Sequence, residues 1–186
     1  MKDTLSIADR LKELSGVDVR DCYQCGKCTA GCPMAEEMDF PPSYLMRLLQ
    51  TGSEANYRKV LSSRTVWYCL SCEQCIGRCP KEVDIPALMD CLREEAQREG
   101  CISPKAKDIV RFHKSFMDCV KNTGRSYELG LVLGYKLRSG HLMQDVQNAP
   151  ALLAKGKLNI LPECVRDMKK IKGIFSRTEK PAHEKE

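Results

Sequence analysis

Two stretches decide the reading: CYQCGKCTAGCP, from Cys22 to Pro33, and CLSCEQCIGRCP, from Cys69 to Pro80. Each has the spacing C-x2-C-x2-C-x3-C-P, so Cys22, Cys25, Cys28 and Cys32 recur as Cys69, Cys72, Cys75 and Cys79. Three cysteines at intervals of three wrap a short loop around a cubane iron–sulfur cluster and turn three thiolates inward. The fourth, followed by proline, ligates the other cluster in two-cluster proteins of this type. The spacing therefore predicts one [4Fe-4S] cluster on Cys22, Cys25, Cys28 and Cys79, and a second on Cys69, Cys72, Cys75 and Cys32. The crossing ties the motifs together, so neither is expected to be an independent module. Pro33 and Pro80 redirect the chain where each fourth cysteine crosses over.

Two rival readings explain less. Structural zinc sites usually take four ligands from two separated C-x2-4-C pairs. Zinc leaves the third C-x2-C step and the Cys-Pro ending unaccounted for. A disulfide framework suits small secreted chains, and this one has no secretory signal at its amino terminus, MKDTLSIADRLKEL. Four of the 12 cysteines, Cys91, Cys101, Cys119 and Cys164, are isolated in sequence and read as inert, partly buried thiols. Cys164 is the first candidate for an exception, because its late segment is placed to face a partner.

Length and composition fit one domain, or a small core with a helical extension. The chain has 186 residues, 42% hydrophobic and 30% charged, with a net charge of +5. No apolar run approaches the ~18 residues of a membrane span. Many free thiolates without an export signal imply a reducing interior, so the expected location is cytoplasmic. The positive residues are interleaved with acids and do not form a nucleic-acid footprint.

Helical spacing dominates. Thr4 is placed to cap a first helix with Leu5, Ile7, Leu11 and Leu14 inward, ending at Gly16. Between the motifs, Pro41-Pro42-Ser43 opens a helix that stops at Thr51-Gly52. Ser53 caps a second running to Leu61, with no strand alternation anywhere between the motifs. Asp84 caps a helix with Pro86 in its first turn and an apolar stripe of Ile85, Leu88, Met89, Leu92 and Ala96, ending at Gly100. Ser103-Pro104 opens another, with Ala106, Ile109, Val110, His113, Phe116, Met117 and Val120 as its inner face. Ser126 is placed to cap the next helix. A short one is expected over Leu142 to Lys155. A last helix starts at Pro162, with Val165, Met168, Ile171 and Phe175 inward and Arg166, Lys169, Lys170 and Lys172 in solvent. The expected organisation is a two-cluster helical domain over 1–101, a helical docking extension over 102–177 and a disordered tail over 178–186. The fold class is all-α.

No residues suggest substrate chemistry. There is no dinucleotide or nucleotide fingerprint and no nucleophile elbow. His113, His141 and His183 are scattered, and His113 reads as a core histidine. No catalytic residue is expected. Lys27 and Arg78, inside the motifs, favour the reduced and more negative clusters. Trp67, Tyr68, Leu70 and Ile76 are placed to shield the second from water, although Trp67 reads first as core packing.

The two motifs, 36 residues apart with helices between them, resemble the helical ferredoxin domain of fumarate reductase and succinate dehydrogenase iron–sulfur subunits, anaerobic glycerol-3-phosphate dehydrogenase and heterodisulfide reductase. The succinate type carries a preceding [2Fe-2S] domain, and only 21 residues precede Cys22 here. The glycerol-phosphate type fuses cysteine-rich CCG domains, and this chain has no Cys-Cys pair. What remains resembles the C subunit of heterodisulfide reductase, including the stretches Tyr135 to Gly140 and Ala154 to Leu158. The resemblance implies a chain that passes single electrons from a flavin- and cluster-containing partner subunit to a CCG-type partner subunit that reduces a disulfide. The open alternatives are a redox sensor whose clusters gate partner binding, and a relay subunit of a glycerol-3-phosphate or fumarate type enzyme.

Overall fold

The computed structural model describes residues 5–143 and 161–178, and these form helices and connecting loops without a strand. The chain divides into two compact units, Met1–Lys107 and Asp108–Glu186.

The described residues of the first unit hold seven α-helices: α1 Ile7–Ser15, α2 Lys27–Ala30, α3 Pro42–Gln50, α4 Glu54–Leu61, α5 Thr65–Tyr68, α6 Gln74–Arg78 and α7 Ile85–Arg98. Their ends follow from local chemistry. Gly16 closes α1 at φ 75°, a left-handed position that costs glycine nothing. Asp84 caps α7 by accepting the Ala87 N–H at 2.9 Å, with Pro86 in the first turn. Asp84→Ala is expected to destabilise the first unit by about 1 kcal/mol in a chemical denaturation series.

The core of this unit is made where α1, α3, α4, α5 and α7 meet. Leu11, Leu45, Leu49, Leu61, Leu88 and Leu92 are fully buried there with Met46, Met89 and Tyr57. Each such leucine contributes roughly 1.5–3 kcal/mol of apolar burial before chain entropy is subtracted. One polar network lies inside it. The Tyr57 hydroxyl donates to the buried Glu95 carboxylate at 3.1 Å, Arg98 pairs with the same carboxylate, and the Arg10 guanidinium lies 4.6 Å above the Tyr57 ring. Burial, then the Glu95 charge, push the Tyr57 phenol well above its ordinary range, so it stays protonated and donates.

In the second unit, α8 spans Lys107–Thr123, α9 Glu128–Ser139 and α10 Met168–Thr178. Ser115, Cys119 and Thr123 are the buried residues of α8. Ser115 faces the bare backbone of Gly134 on α9 and accepts an Arg138 Nη1–H at 3.0 Å, and Cys119 Sγ accepts the Tyr127 N–H at 3.2 Å. Among the described residues no helix is long and apolar enough to cross a membrane.

Several expectations need correction. Thr4 lies outside the described residues, and Ser6 caps α1 through the Asp9 N–H. Leu5 therefore precedes the helix, and it is exposed together with Leu14. Ser53 occupies the cap position of α4, but its side chain makes no capping bond. The inter-motif segment holds a third helix, α5, in addition to α3 and α4. The inner face of α8 is the small stripe 115, 119, 123, so His113, Phe116 and Met117 are exposed. Close approach to Gly134 selects small side chains at that contact, and the large ones flank it. Tyr127, rather than Ser126, precedes α9, and α10 begins at Met168, six residues after Pro162. Val165, Met168, Ile171 and Phe175 are half-buried and the lysines between them exposed, as the periodicity predicts. Most of the helix expected over Leu142–Lys155, the segment 154–158 and residues 179–186 of the tail fall outside the described residues.

Candidate iron–sulfur site

Each motif folds into a loop with the same two unusual backbone positions. Gln24 and Gly26 in the first have φ of 65° and 78°, and Ser71 and Glu73 in the second have φ of 50° and 59°. These are equivalent positions, the second residue after each leading cysteine and the first after each middle one. A left-handed residue on either side of the middle cysteine coils the backbone so that successive thiols turn to one side. Three of the four are not glycine, which costs of order 1 kcal/mol each and persists only where the surroundings dictate it.

The eight motif thiols are brought together as two sets of four. Cys22, Cys25, Cys28 and Cys79 line a cavity of about 380 Å³ including its mouth. Cys32, Cys69, Cys72 and Cys75 line another of about 400 Å³. Each cavity thus takes three cysteines from one motif and the fourth from the other. Ile85, the first residue of α7, lines both cavities, so the two adjoin at the start of that helix. Among the described residues no three Cys, His, Asp or Glu side chains are grouped for a single metal ion. Four thiols spread around a walled cavity fit a cubane better than one zinc.

The surroundings suit a negative cluster. The first residues of α3 and α7 reach the cavities: Pro42 and Pro86 line the second, Ser43 the first, and Ile85 both. The positive ends of two helix dipoles therefore face the sites. Gln24 Nε2 donates to Cys22 Sγ and the Val83 N–H to Cys79 Sγ, both at 3.4 Å. Burial pushes the Cys28 and Cys32 thiols up, and Cys75 to about 11, so these thiols would have to give up protons to bind iron.

Several positioning residues carry no signal in the sequence. Gln50 of α3 holds the first loop from behind, donating through Nε2 to the carbonyls of Val19 at 2.9 Å and Cys22 at 2.6 Å and accepting from Gln24 at 3.1 Å. Arg93 of α7 holds the second, donating through Nε to the Val66 carbonyl at 2.8 Å and through Nη2 to that of Cys69. Thr29 Oγ1 accepts the Ser43 N–H at 2.9 Å and joins α2 to α3. The Arg78 side chain lies across Gly31, with Cζ 2.7 Å from where a Cβ would sit, so any larger residue there would displace the guanidinium. That contact fastens the residue before Cys79 to the residue before Cys32. Trp67 is buried, and Tyr68 and Ile76 are half-buried, while Leu70 is exposed at the mouth of the second cavity. Cys91 and Cys119 are buried, Cys101 is half-buried, and Cys164 is exposed. None of these four lines either cavity.

Residues 18–83 match the 4Fe-4S dicluster domain family, which with the two four-thiol cavities assigns the chain two [4Fe-4S] clusters. The chain is also similar to C subunits of heterodisulfide reductases. It is 29% identical over 105 residues to the C subunit of the H(2):CoB-CoM heterodisulfide,ferredoxin reductase of Methanothermobacter marburgensis, covering 56% of this chain and 55% of that protein. It is 29% identical over 121 residues to a C-type iron–sulfur subunit of the CoB–CoM heterodisulfide reductase of Methanocaldococcus jannaschii, covering 65% and 63%. It is 34% identical over 100 residues to the C subunit of the ferredoxin:CoB-CoM heterodisulfide reductase of Methanosarcina acetivorans, covering 54% and 38%. In each case the chain spans less than two thirds of the relative's length.

Proposed function

Starting from a chain whose residues 18–83 are a 4Fe-4S dicluster domain akin to that of heterodisulfide reductase C subunits, we propose that it is the electron-relay subunit of a cytoplasmic heterodisulfide-reductase-like complex. It receives single electrons from a flavin- and cluster-containing partner and passes them to a CCG-type partner, which performs the disulfide chemistry. The observation that carries this reading is the pair of four-thiol cavities that share Ile85 in their walls. Bound clusters would supply one-electron storage, and centres in adjoining cavities could exchange electrons, a property that a single structural centre lacks.

The ligand sets proposed are Cys22, Cys25, Cys28 and Cys79 for the first cluster, and Cys69, Cys72, Cys75 and Cys32 for the second. The cavity linings support this crossing. Ile85 borders both sites, and Gln50 and Arg93 pin the loops that carry them. The region 102–177 is proposed as a docking extension. Its exposed apolar residues, Phe112, Phe116 and Met117 on α8 and Val132, Leu133 and Leu137 on α9, are of the kind that contacts between subunits cover.

Anaerobically purified protein is expected to contain about eight iron and eight labile sulfide per chain, and its reduced EPR spectrum to show spin–spin coupling between neighbouring centres. About four iron after full reconstitution ends the relay reading. Co-purification of the untagged native complex is expected to bring down a flavoprotein and a CCG-rich chain.

A further inference from the structure

The two cavities are built from equivalent residues but differ in charge. Aligning the motifs cysteine for cysteine sets Gln24 against Ser71, Gly26 against Glu73 and Met34 against Lys81. The crossing of the fourth cysteines exchanges the residues just beyond them. Lys81, beyond Cys79, lines the cavity of Cys22, Cys25 and Cys28. Met34, beyond Cys32, lines the cavity of Cys69, Cys72 and Cys75. Lys81 is the one charged side chain on the first cavity wall, and Glu73 the one on the second. The first wall adds Gln24, which donates to a ligand sulfur, while the second adds Met34, Met38, Leu70 and Met89 together with Gln74, whose amide bonds no ligand sulfur.

We propose that the first cavity, framed by Cys22, Cys25, Cys28 and Cys79, holds the higher-potential cluster of the pair, with Lys81 and Gln24 raising it and Glu73 and the methionine wall lowering the other. This deepens the relay reading above and rests on it. An arriving electron adds negative charge to a centre already surrounded by four thiolates. A lysine ammonium and an amide N–H···S bond favour that change, whereas a carboxylate and an apolar wall oppose it. Of the other cationic and dipolar features, the ends of α3 and α7 serve both sites, and Arg78, across Gly31, neighbours one ligand of each. The Val83 N–H, on Cys79 Sγ, adds to the first site, and the Arg93 guanidinium, on the Cys69 carbonyl, is the cation nearest the second loop but lines neither cavity. Asp18, Asp21, Glu82 and Asp84 share a separate concavity with Lys81, but none lines the cluster cavity. Asp18 is already paired with Lys12 and Arg20, and Asp84 with the Ala87 N–H.

Electrons therefore run downhill from the second cluster to the first. One electron leaves the centre beside Glu73, and one arrives at the centre beside Lys81. The donor partner is assigned to the face bearing the exposed Cys72 and Leu70, and the acceptor to the face bearing the exposed Cys25 and Tyr23.

The test is a potentiometric series followed by EPR on the anaerobically purified full chain. Two steps are expected. The cluster kept by Cys32→Ser should be reduced at the higher potential, and the one kept by Cys79→Ser at the lower. Lys81→Met is expected to lower the reduced-to-oxidised ratio of the first cluster at fixed poise by about 2- to 10-fold, tenfold being ~59 mV for one electron. Glu73→Gln should raise that of the second, and both effects should shrink with added salt. If either cysteine variant loses both clusters, the two charge variants decide. The reverse order of potentials, or charge variants that leave the gap between the steps unchanged, overturns the proposal. Fewer than about eight iron in the wild type defeats the two-cluster reading itself, and the inference with it.

Discussion

Cys79→Ser is expected to remove the cluster of the first motif and leave that of the second. Cys79 lies 47 residues beyond Cys32 and belongs to the second motif by sequence, yet it lines the cavity of Cys22, Cys25 and Cys28. A serine hydroxyl is a poor replacement for thiolate at iron, so the iron content should fall from about eight to about four per chain. The surviving EPR signal should be the one that Cys32→Ser abolishes, and the spin–spin coupling should vanish in both variants. Cys91→Ser serves as the control. Its thiol is buried in α7, burial pushes it up to about 11, and it lines neither cavity, so iron content should not change. If Cys79→Ser and Cys75→Ser instead abolish the same signal, the ligands are not crossed.

Glu95→Ala is expected to be among the most destabilising single changes in the first unit, at about 3 kcal/mol. The carboxylate is 2% exposed, and it is the acceptor for Tyr57 and the ion-pair partner of Arg98. Arg98 is largely exposed and loses little when the carboxylate goes. The cost falls on Tyr57, whose buried hydroxyl loses its acceptor, and on Arg10, stacked on the Tyr57 ring with Nε and Nη2 buried and without hydrogen bonds. Glu95→Gln keeps an acceptor for Tyr57 and should cost less. The measurement is guanidinium unfolding under reducing, anaerobic conditions, read by circular dichroism. A Glu95→Ala loss below about 1 kcal/mol would show that the network adds nothing to the packing of α1, α4 and α7. Because α7 supplies Ile85 and Pro86 to the cavities, cluster release to a chelator should accelerate in the same order of variants.

The sequence made parts of this legible for identifiable reasons. The cysteine spacing is a constraint of ligand reach, so it survives any detail of packing. The cap and proline at Asp84 and Pro86 act within one turn, and the helix begins where they place it. The inner face of α8 was not legible. Periodicity finds large apolar side chains, and the buried stripe there is Ser115, Cys119 and Thr123, the first of them against Gly134. The left-handed loop positions were hidden for the opposite reason. Only Gly26 carries the residue such a turn favours, while Gln24, Ser71 and Glu73 are held there by tertiary context. The amide brackets of Gln50 and the guanidinium clamp of Arg93 join positions 24 to 31 residues apart in sequence, beyond the reach of local pattern.

The interleaving of the two cysteine loops has a consequence for biogenesis. A nascent chain leaving the ribosome presents Cys22, Cys25 and Cys28 long before Cys79 has been translated. An iron–sulfur delivery protein that engaged early would seat a cube with one iron corner capped by something other than this chain. Maturation therefore favours a polypeptide translated past residue 79, whose helices have already drawn that cysteine into place.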